Sequence, residues 1–176
     1  MKLIGSISKE GVVVMGGEYT MFELSERIGS TLKRTGRRIG TAESCTGGLL
    51  AAAITDVAGS SQWFDEGLVT YSNSSKQKQL GVAGETLDQY GAVSSEVVKA
   101  MARGVLANGA DVAVATSGIA GPDGGSDEKP VGTVWMAWAV DGQVESEVQC
   151  FEGDRQEIRL RASEYVLARL SQKLQP

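Results

Sequence analysis

Segments with the apolar spacing of helices alternate with short, mostly apolar segments of strand length from residue 20 to the C-terminal end. The segment "VGTVWMAWAV", residues 131–140, is almost wholly apolar, which is typical of a strand buried on both faces. Helices that connect strands in this order cover both faces of a mostly parallel sheet. Asp141-Gly142 is a strong two-residue hairpin signal, so the predicted α/β fold has at least one antiparallel strand and a mixed sheet.

Several helix boundaries carry recognisable signals. Thr20 and Glu23 form a T-x-x-E capping box, and Gly36 stands where a helix C-cap glycine belongs. Ser94 and Asp154 are predicted to begin two later helices, since both side chains can accept a hydrogen bond from the first turn. These signals support the same alternation of helices and strands.

The first 18 residues differ from the rest of the chain. In this stretch "KLIGSI" and "VVVM" flank "SKEG", a pattern that predicts a small hairpin or an extended arm. Residues 19–176 contain no internal repeat and no linker, so we expect them to form one domain.

Composition limits the classes of function. The 176 residues carry a net charge of -5, which argues against nucleic acid as a partner, because binding to phosphates needs clustered Lys and Arg. No apolar run has the length of a membrane span, and the N-terminal residues are too polar for a secretory signal. We therefore expect a cytoplasmic protein with no membrane partner, in which Cys45 and Cys150 are reduced thiols.

Three informative segments fall at predicted strand ends: "AESCTGG" at 42–48, "TYSNSSK" at 70–76 and "SGIAGPDGG" at 117–125. Ligands of open α/β sheets bind at the carboxyl ends of the strands. The coincidence of the three segments therefore predicts a single site.

The first segment is predicted to turn from a strand into a helix, with Ser44 at or near the helix N-terminus. Unpaired backbone N–H groups at such a turn can stabilise an oxyanion or hold a phosphate. The residues expected to present them are Cys45, Thr46, Gly47 and Gly48. For this segment taken alone, a plain helix cap by Ser44 or Thr46, with glycines for packing, is slightly favoured, because capping serines are abundant.

The chain contains no histidine, so neither a Ser-His-Asp triad nor a Cys-His pair can form. A serine nucleophile then needs another base. Lys76 is predicted in the first turn of a helix, where the helix dipole and burial would lower the pKa of its ammonium group. With Tyr71 at the preceding strand end, a Ser-Lys-Tyr arrangement is one interpretation; an exposed lysine and a packing tyrosine are the other.

The third segment is too rich in glycine to be only a turn, but it matches neither a dinucleotide-binding nor a Walker motif. Its backbone amides could hold a phosphate. Arg155 is a second candidate for a phosphate or a carboxylate, unless it pairs within its own helix. Acidic residues in the loop could bind Mg²⁺, although a solvated acidic loop is more common. They are Asp123, Asp127 and Glu128.

The order and spacing of these segments resemble a known family. From about Met21 onward, "TAESCTGGLLAAAITDVAGSSQWFDEGLVTYSNSSKQKQLGV", "GAVSSEVV" and "SGIAGPDGGSDEKPVGTVW" are similar to the CinA C-terminal domain family. Its stand-alone members are nicotinamide-nucleotide amidases, which hydrolyse the carboxamide of nicotinamide mononucleotide to nicotinate mononucleotide and ammonia in pyridine-nucleotide salvage. The family fold is a three-layer α/β/α sandwich with a mixed sheet.

The resemblance implies a role for each matching residue. Ser44 becomes the nucleophile, Lys76 the base that takes its proton, and Tyr71 an assisting group. The expected oxyanion donors are the backbone N–H groups of Cys45, Thr46 and Gly47. The expected substrate-binding residues are Gly48, Ser117, Gly118, Gly121, Gly124, Gly125 and Arg155. The family chemistry needs no metal or cofactor, and the pyrophosphatase activity associated with the larger domain of full-length CinA proteins is not expected.

Two other functions remain open at this stage. One is a non-catalytic module that binds a nucleotide or a partner in competence or DNA damage, and the other is an amidohydrolase for a different amide. A homodimer through the hairpin edge or the N-terminal arm is a further hypothesis.

Overall fold

The computed structural model describes residues 12–14 and 17–175. The strands are β1 (Val12–Val14), β2 (Gly17–Tyr19), β3 (Ile39–Glu43), β4 (Phe64–Val69), β5 (Val112–Gly118), β6 (Thr133–Val140) and β7 (Gln143–Cys150). The helices are α1 (Met21–Thr35), α2 (Leu49–Thr55), α3 (Asn73–Leu80), α4 (Gly84–Tyr90), α5 (Ser95–Asn108) and α6 (Arg155–Lys173), with a short 3-10 turn at Ser60–Gln62.

The main sheet has the strand order β4-β3-β5-β6-β7. β3 pairs in parallel with β4 and β5, whereas β6 is antiparallel to both β5 and β7. Four of the five strands therefore point the same way, and only β6 runs against them. The predicted mixed sheet is confirmed, and the Asp141-Gly142 turn joins the antiparallel pair β6–β7 as expected.

Helices cover both faces of this sheet. One apolar core lies between the sheet and α1, α2 and α6, and the other between the sheet and α3, α4 and α5. Alternate residues of β5 enter the two cores, with Val112 and Val114 in one and Ala113 and Ala115 in the other. This arrangement confirms the α/β/α sandwich and explains why the central strands contain so few polar residues.

The predicted helix caps are present. Thr20 and Glu23 form the capping box of α1, and Gly36 ends that helix in the left-handed conformation. The Ser94 and Asp154 side chains accept hydrogen bonds from the first turns of α5 and α6. Each cap satisfies backbone groups that a helix end would otherwise leave unpaired.

Three local features differ from the sequence prediction. α2 begins at Leu49 with Gly48 as its N-cap, five residues after Ser44. The side chain of Ser72 caps α3, whereas the sequence alone favours Asn73 or Ser74 as the residue that opens this helix. The short helix α4 was not predicted, because "GETLDQY" carries a single buried apolar residue, Leu87, and so shows no periodicity.

At the N-terminal end, β1 and β2 form an antiparallel pair. The first predicted strand, "KLIGSI", lies outside the described residues, so the arm or hairpin of residues 1–18 stays a prediction. Among residues 12–14 and 17–175, no helix has the length and apolar character needed to cross a membrane.

The parallel register brings the three strand-end segments together. The Ser44 N–H donates to the Thr116 carbonyl at 3.0 Å, and the Thr70 N–H donates to the Glu43 carbonyl at 2.8 Å. These bonds continue the β3–β5 and β3–β4 ladders past the end of β3. The turn after β3 therefore lies between the turns after β4 and β5, as the topology predicts.

Candidate active site

The turn from Ser44 to Gly48 connects β3 with α2. Gly47 and Gly48 both have positive φ values, 60° and 98°, which the glycines adopt without steric cost. Ser44 was expected at or near the helix N-terminus, but it lies five residues before α2 begins at Leu49. The expectation of four free N–H groups is wrong. The Gly47 N–H donates to the Ser44 carbonyl at 3.1 Å, and the Gly48 N–H donates to Glu43 Oε2 at 2.9 Å.

The backbone N–H groups of Cys45 and Thr46 have no main-chain hydrogen-bond acceptor within the described part of the chain, and both lie beside the Cys45 thiol. These two groups remain candidate oxyanion donors. Gly47 is not a candidate, because its N–H already donates to the Ser44 carbonyl. Ser44 itself is nearly buried, with 8% of its surface exposed.

Lys76 is buried and directly contacts Ser44. Its Nζ lies 3.1 Å from Ser44 Oγ, and only 1% of the residue is exposed. Nζ also lies 2.8 Å from the Thr70 carbonyl and 3.2 Å from the Tyr71 carbonyl. No carboxylate neutralises the ammonium group among these partners, so burial lowers the pKa of Lys76 below its ordinary value.

The hydrogen-bond partners of Lys76 Nζ orient the amine when it is neutral. A neutral lysine has two N–H donors and one lone pair. The carbonyls of Thr70 and Tyr71 can only accept, so the two N–H groups point to them and the lone pair is left facing Ser44. The Ser44 hydroxyl can then donate to Nζ, which is the contact required for a base that activates a serine.

Cys45 lies beside Ser44 in the chain but points into the apolar core, with 5% of its surface exposed. Burial raises the pKa of its thiol to about 12, although the neighbouring backbone N–H groups act in the opposite direction. A thiol with such a pKa is protonated near neutral pH and is a weak nucleophile. Cys45 and Cys150 are both free, as the sequence predicts.

Tyr71 contacts Lys76 through its main-chain carbonyl, and its side chain is exposed. The Tyr71 hydroxyl accepts a hydrogen bond from Arg155 Nη2 at 2.9 Å. Arg155 Nη1 donates to the Gly121 carbonyl at 2.7 Å, so the guanidinium links the glycine-rich loop to the turn after β4. Among the described residues its acceptors are these two neutral groups, whereas the sequence also allowed an acidic partner within the same helix.

Some glycines of the third segment have packing roles. A Cβ on Gly118 would lie 2.7 Å from Val134 Cγ2, and one on Gly125 would lie 2.8 Å from the Val131 nitrogen. Gly121 and Gly124 have positive φ values of 80° and 92°. Ser117, in β5, is buried. The loop thus reaches the same end of the sheet as Ser44, although binding of a ligand to its amides stays a prediction.

Sequence reasoning missed two residues of the site. Glu43, which precedes the nucleophile turn, is 1% exposed and accepts hydrogen bonds from that turn and from α2. Arg159 donates from Nε to the Cys45 carbonyl and from Nη2 to the Thr46 carbonyl, both at 3.0 Å. Glu43 belongs to the segment "AESCTGG", but no sequence pattern indicates a role for it. Arg159 lies in a helix more than 100 residues further along the chain, so sequence spacing does not connect it with the turn.

A cleft of about 620 Å³ adjoins the turn on the α6 side. Leu49, Ala120, Pro122 and Val131 supply apolar walls, and Arg155 and Arg159 supply positive charge. Ser44 and Lys76 are not in its lining, but Arg155 reaches from the cleft to Tyr71, and Arg159 reaches to the turn. A ligand with an anionic end could therefore occupy the cleft beside the serine.

The site as a whole can support acyl transfer. It combines a serine, a buried amine with a lowered pKa and two backbone N–H groups without main-chain acceptors among the described residues. These groups lie next to a cleft with two guanidinium groups. Within the described residues, no group of three or more side chains of the His, Cys, Asp and Glu types is placed to hold a metal ion.

Comparison with known proteins identifies the family of this chain. The model of the CinA C-terminal domain matches residues 21–174. The chain belongs to the CinA C-terminal domain family. The match includes all three strand-end segments and leaves out the first 20 residues.

Similar curated proteins in this family carry the name nicotinamide-nucleotide amidohydrolase PncC. The protein from Enterobacter agglomerans is 60% identical over 152 residues, which are 85% of this chain and 93% of that protein. The protein from Escherichia coli K12 is 55% identical over 155 residues, covering 87% and 94% of the two chains. A CinA-like protein from Geotalea daltonii is 51% identical, but the match covers only 41% of that longer chain.

Solved structures of family members have the same fold. A competence damage-inducible protein A from Klebsiella pneumoniae superposes with a TM-score of 0.85 at 46% identity, covering 89% of this chain and 98% of that one. A CinA superfamily protein from Enterobacter cloacae gives a TM-score of 0.87 at 40% identity, covering 97% of this chain and 100% of that one.

Proposed function

We propose that this member of the CinA C-terminal domain family hydrolyses nicotinamide mononucleotide to nicotinate mononucleotide and ammonia, with Ser44 as nucleophile and Lys76 as base. The observation that carries the mechanism is the 3.1 Å contact between Ser44 Oγ and the buried Lys76 Nζ. The substrate is supported by the identity of 60% and 55% to two PncC amidohydrolases over nearly their whole length.

In the first half of the reaction, the Ser44 hydroxyl passes its proton to Lys76 while Oγ attacks the carboxamide carbon. The C–O bond forms and the carbonyl electrons move to oxygen, giving a tetrahedral oxyanion. Lys76 then gives its proton to the amide nitrogen, the C–N bond breaks, and ammonia leaves. An ester between Ser44 and the nicotinoyl group remains.

In the second half, a water molecule attacks the ester carbon and passes its proton to Lys76. Collapse of the second oxyanion breaks the bond to Oγ, which takes the proton back from Lys76. The products are nicotinate mononucleotide and the free serine. One amine thus acts as base and then as acid in each half of the reaction, and no histidine is required.

The oxyanion is assigned to the backbone N–H groups of Cys45 and Thr46. Both belong to the turn that follows the nucleophile, and both lack a main-chain acceptor in the described structure. A well-placed donor of this kind stabilises the transition state by about 3 kcal/mol in other hydrolases.

The phosphate of the substrate is assigned to Arg155, beside the 121–125 loop. Among the described residues, its guanidinium is bonded to the Gly121 carbonyl and the Tyr71 hydroxyl and to no carboxylate, so its charge is available to an anion. Tyr71 then serves as a wall of the site and as a contact of Arg155. We infer a further role for its carbonyl, which fixes the orientation of the Lys76 amine.

The test is ammonia release from nicotinamide mononucleotide, in the presence of EDTA, by the wild type, Ser44→Ala and Lys76→Ala. We expect the wild type to release ammonia and both variants to release none, although both remain folded. Absence of release from the folded wild type would contradict the substrate and favour the non-catalytic module. Parallel assays with nicotinamide and nicotinamide riboside distinguish an amidohydrolase for another amide.

A further inference from the structure

Glu43 is a buried carboxylate whose contacts all come from donors. Thr46 Oγ1 donates to Oε2 at 2.8 Å, joined there by the N–H groups of Gly48 at 2.9 Å and Leu50 at 3.2 Å. The Ala51 N–H donates to Oε1 at 2.9 Å, and Thr41 Oγ1 lies 3.4 Å from the same oxygen. A carboxylate can accept all of these bonds, whereas a neutral amide could not.

These contacts decide which backbone donors of the turn stay free. The beginning of a helix normally offers its first N–H groups to an anion. In this chain, Glu43 takes that place for α2, because it accepts from Gly48, Leu50 and Ala51. The free donors are therefore displaced from the helix start to the preceding turn, at Cys45 and Thr46.

The Thr46 side chain ties the turn itself to this carboxylate. Because its one hydroxyl proton goes to Glu43, the 2.8 Å contact between Thr46 Oγ1 and Thr116 Oγ1 must be donated by Thr116. The chain from Thr116 through Thr46 to Glu43 joins β5, the turn and β3. Thr46 and Thr116 are fully buried, so water does not compete for these bonds.

We propose that Glu43 is a positioning residue for the reaction: by anchoring Thr46 and the start of α2, it holds the Cys45 and Thr46 N–H groups where the oxyanion forms. Glu43 does not touch the substrate. The inference rests on the proposed amidohydrolase activity, since it assigns the residue that builds the oxyanion site for that activity. Loss of the carboxylate should therefore act on the chemical step more than on substrate binding.

The first test is Glu43→Gln, with Glu23→Gln as the matched control. Glu23 also accepts backbone and hydroxyl bonds at a helix start, but it is exposed and belongs to the capping box of α1. The amide of Glu43→Gln places N–H donors against backbone N–H groups. We expect kcat to fall at least about tenfold with KM within about twofold of the wild type. Glu23→Gln should keep both constants.

A second pair of variants covers the case in which Glu43→Gln does not fold. Thr46→Ser keeps the hydroxyl that donates to Glu43, and Thr46→Val replaces it with a methyl group of similar size. We expect Thr46→Ser to restore most of the kcat that Thr46→Val loses. A role in folding alone would not separate the two variants by kcat when both are fully folded.

Hydrogen exchange gives a readout that does not depend on activity. In Glu43→Gln, the amides of Gly48, Leu50 and Ala51 should exchange at least about tenfold faster than in the wild type, while α5 stays unchanged. Unchanged exchange at these amides, or folded Glu43→Gln with wild-type kcat, would overturn the inference. If the wild type itself releases no ammonia, the proposed function fails, and exchange alone decides whether Glu43 holds the turn.

Discussion

Lys76 Nζ lies 3.1 Å from Ser44 Oγ, while the carbonyls of Thr70 and Tyr71 occupy the other two positions around the amine. The Lys76 amine is therefore buried and held in hydrogen-bonding distance of the serine hydroxyl. In a chain without histidine, this position allows Lys76 to act as the base for Ser44. This contact and the elements around it lead to five predictions.

Ser44 and Cys45 should differ sharply on substitution. We expect Ser44→Ala to reduce kcat by at least about 1,000-fold, because the acyl group then has no acceptor. Cys45→Ala should stay within about tenfold of the wild type, since the thiol pKa of about 12 keeps the sulfur protonated and the backbone N–H remains. The measurement is ammonia release by each purified variant with a normal circular dichroism spectrum; activity in Ser44→Ala would refute serine attack.

The pH dependence of activity should report Lys76. Burial lowers its pKa, so the neutral base appears below 10.5, the ordinary value for lysine. We expect kcat/KM to rise with pH through this lowered pKa and to be level above it, until another group titrates. A pH–rate profile from pH 5 to 10 checks this, and a limb at the ordinary lysine value would contradict the burial argument.

The same pKa shift affects stability in a defined direction. The unfolded chain binds the Lys76 proton more tightly than the folded chain does, so the free energy of unfolding should rise with pH between the lowered pKa and 10.5. Urea denaturation of the wild type and Lys76→Met at several pH values measures this. The variant should lose that part of the slope; equal slopes would show that Lys76 is not the group responsible.

Arg155 should contribute to binding of the substrate phosphate and not to cleavage of the amide. A charged hydrogen bond contributes about 1.5–3 kcal/mol, so Arg155→Gln should raise KM for nicotinamide mononucleotide by roughly 10- to 100-fold with little change in kcat. Nicotinamide riboside, which has no phosphate, should be unaffected by the substitution. Arg161→Gln on the same helix is the control, because Arg161 donates to the Glu152 carbonyl. An equal loss for both substrates would place the phosphate elsewhere.

Gly104 should be required for the position of α3. A Cβ at this position would lie 2.3 Å from the Leu80 carbonyl oxygen, and the backbone at the end of α3 would have to move. We expect Gly104→Ala to cost about 1–3 kcal/mol of stability and to lower kcat, since Lys76 lies one turn before Leu80. Gly84→Ala is the control, because its nearest neighbour is 3.8 Å away. Thermal melts and kcat of both variants decide the outcome.

The parts of the structure that depend on local signals could be predicted. Capping residues such as Thr20 and Asp154, and the Asp141-Gly142 turn, act within a few residues of the chain, so their patterns are visible in the sequence. The proximity of Ser44 and Lys76 could also be predicted from the sequence, because parallel strands end at the same edge of a sheet.

The parts of the structure that depend on side-chain contacts between distant segments could not be predicted from the sequence. Glu43 accepts hydrogen bonds from the N–H groups of Gly48, Leu50 and Ala51, beyond the turn that follows it, and no local sequence pattern predicts these contacts. Arg159 binds the Cys45 and Thr46 carbonyls only because α6 packs beside α2. The sequence therefore predicts four free N–H groups in this turn, whereas the structure pairs those of Gly47 and Gly48.

The Asp141-Gly142 turn lies at the opposite end of the sheet from Ser44, because β6 runs against its neighbours and carries the chain away from the site before β7 returns it. Asp141 there is exposed and bonded to Arg37 at the surface. A peptide tag or a tether to a solid support inserted at this hairpin would leave the substrate entrance facing the solution. The single reversed strand thus provides an attachment point for immobilising the protein in a fixed orientation.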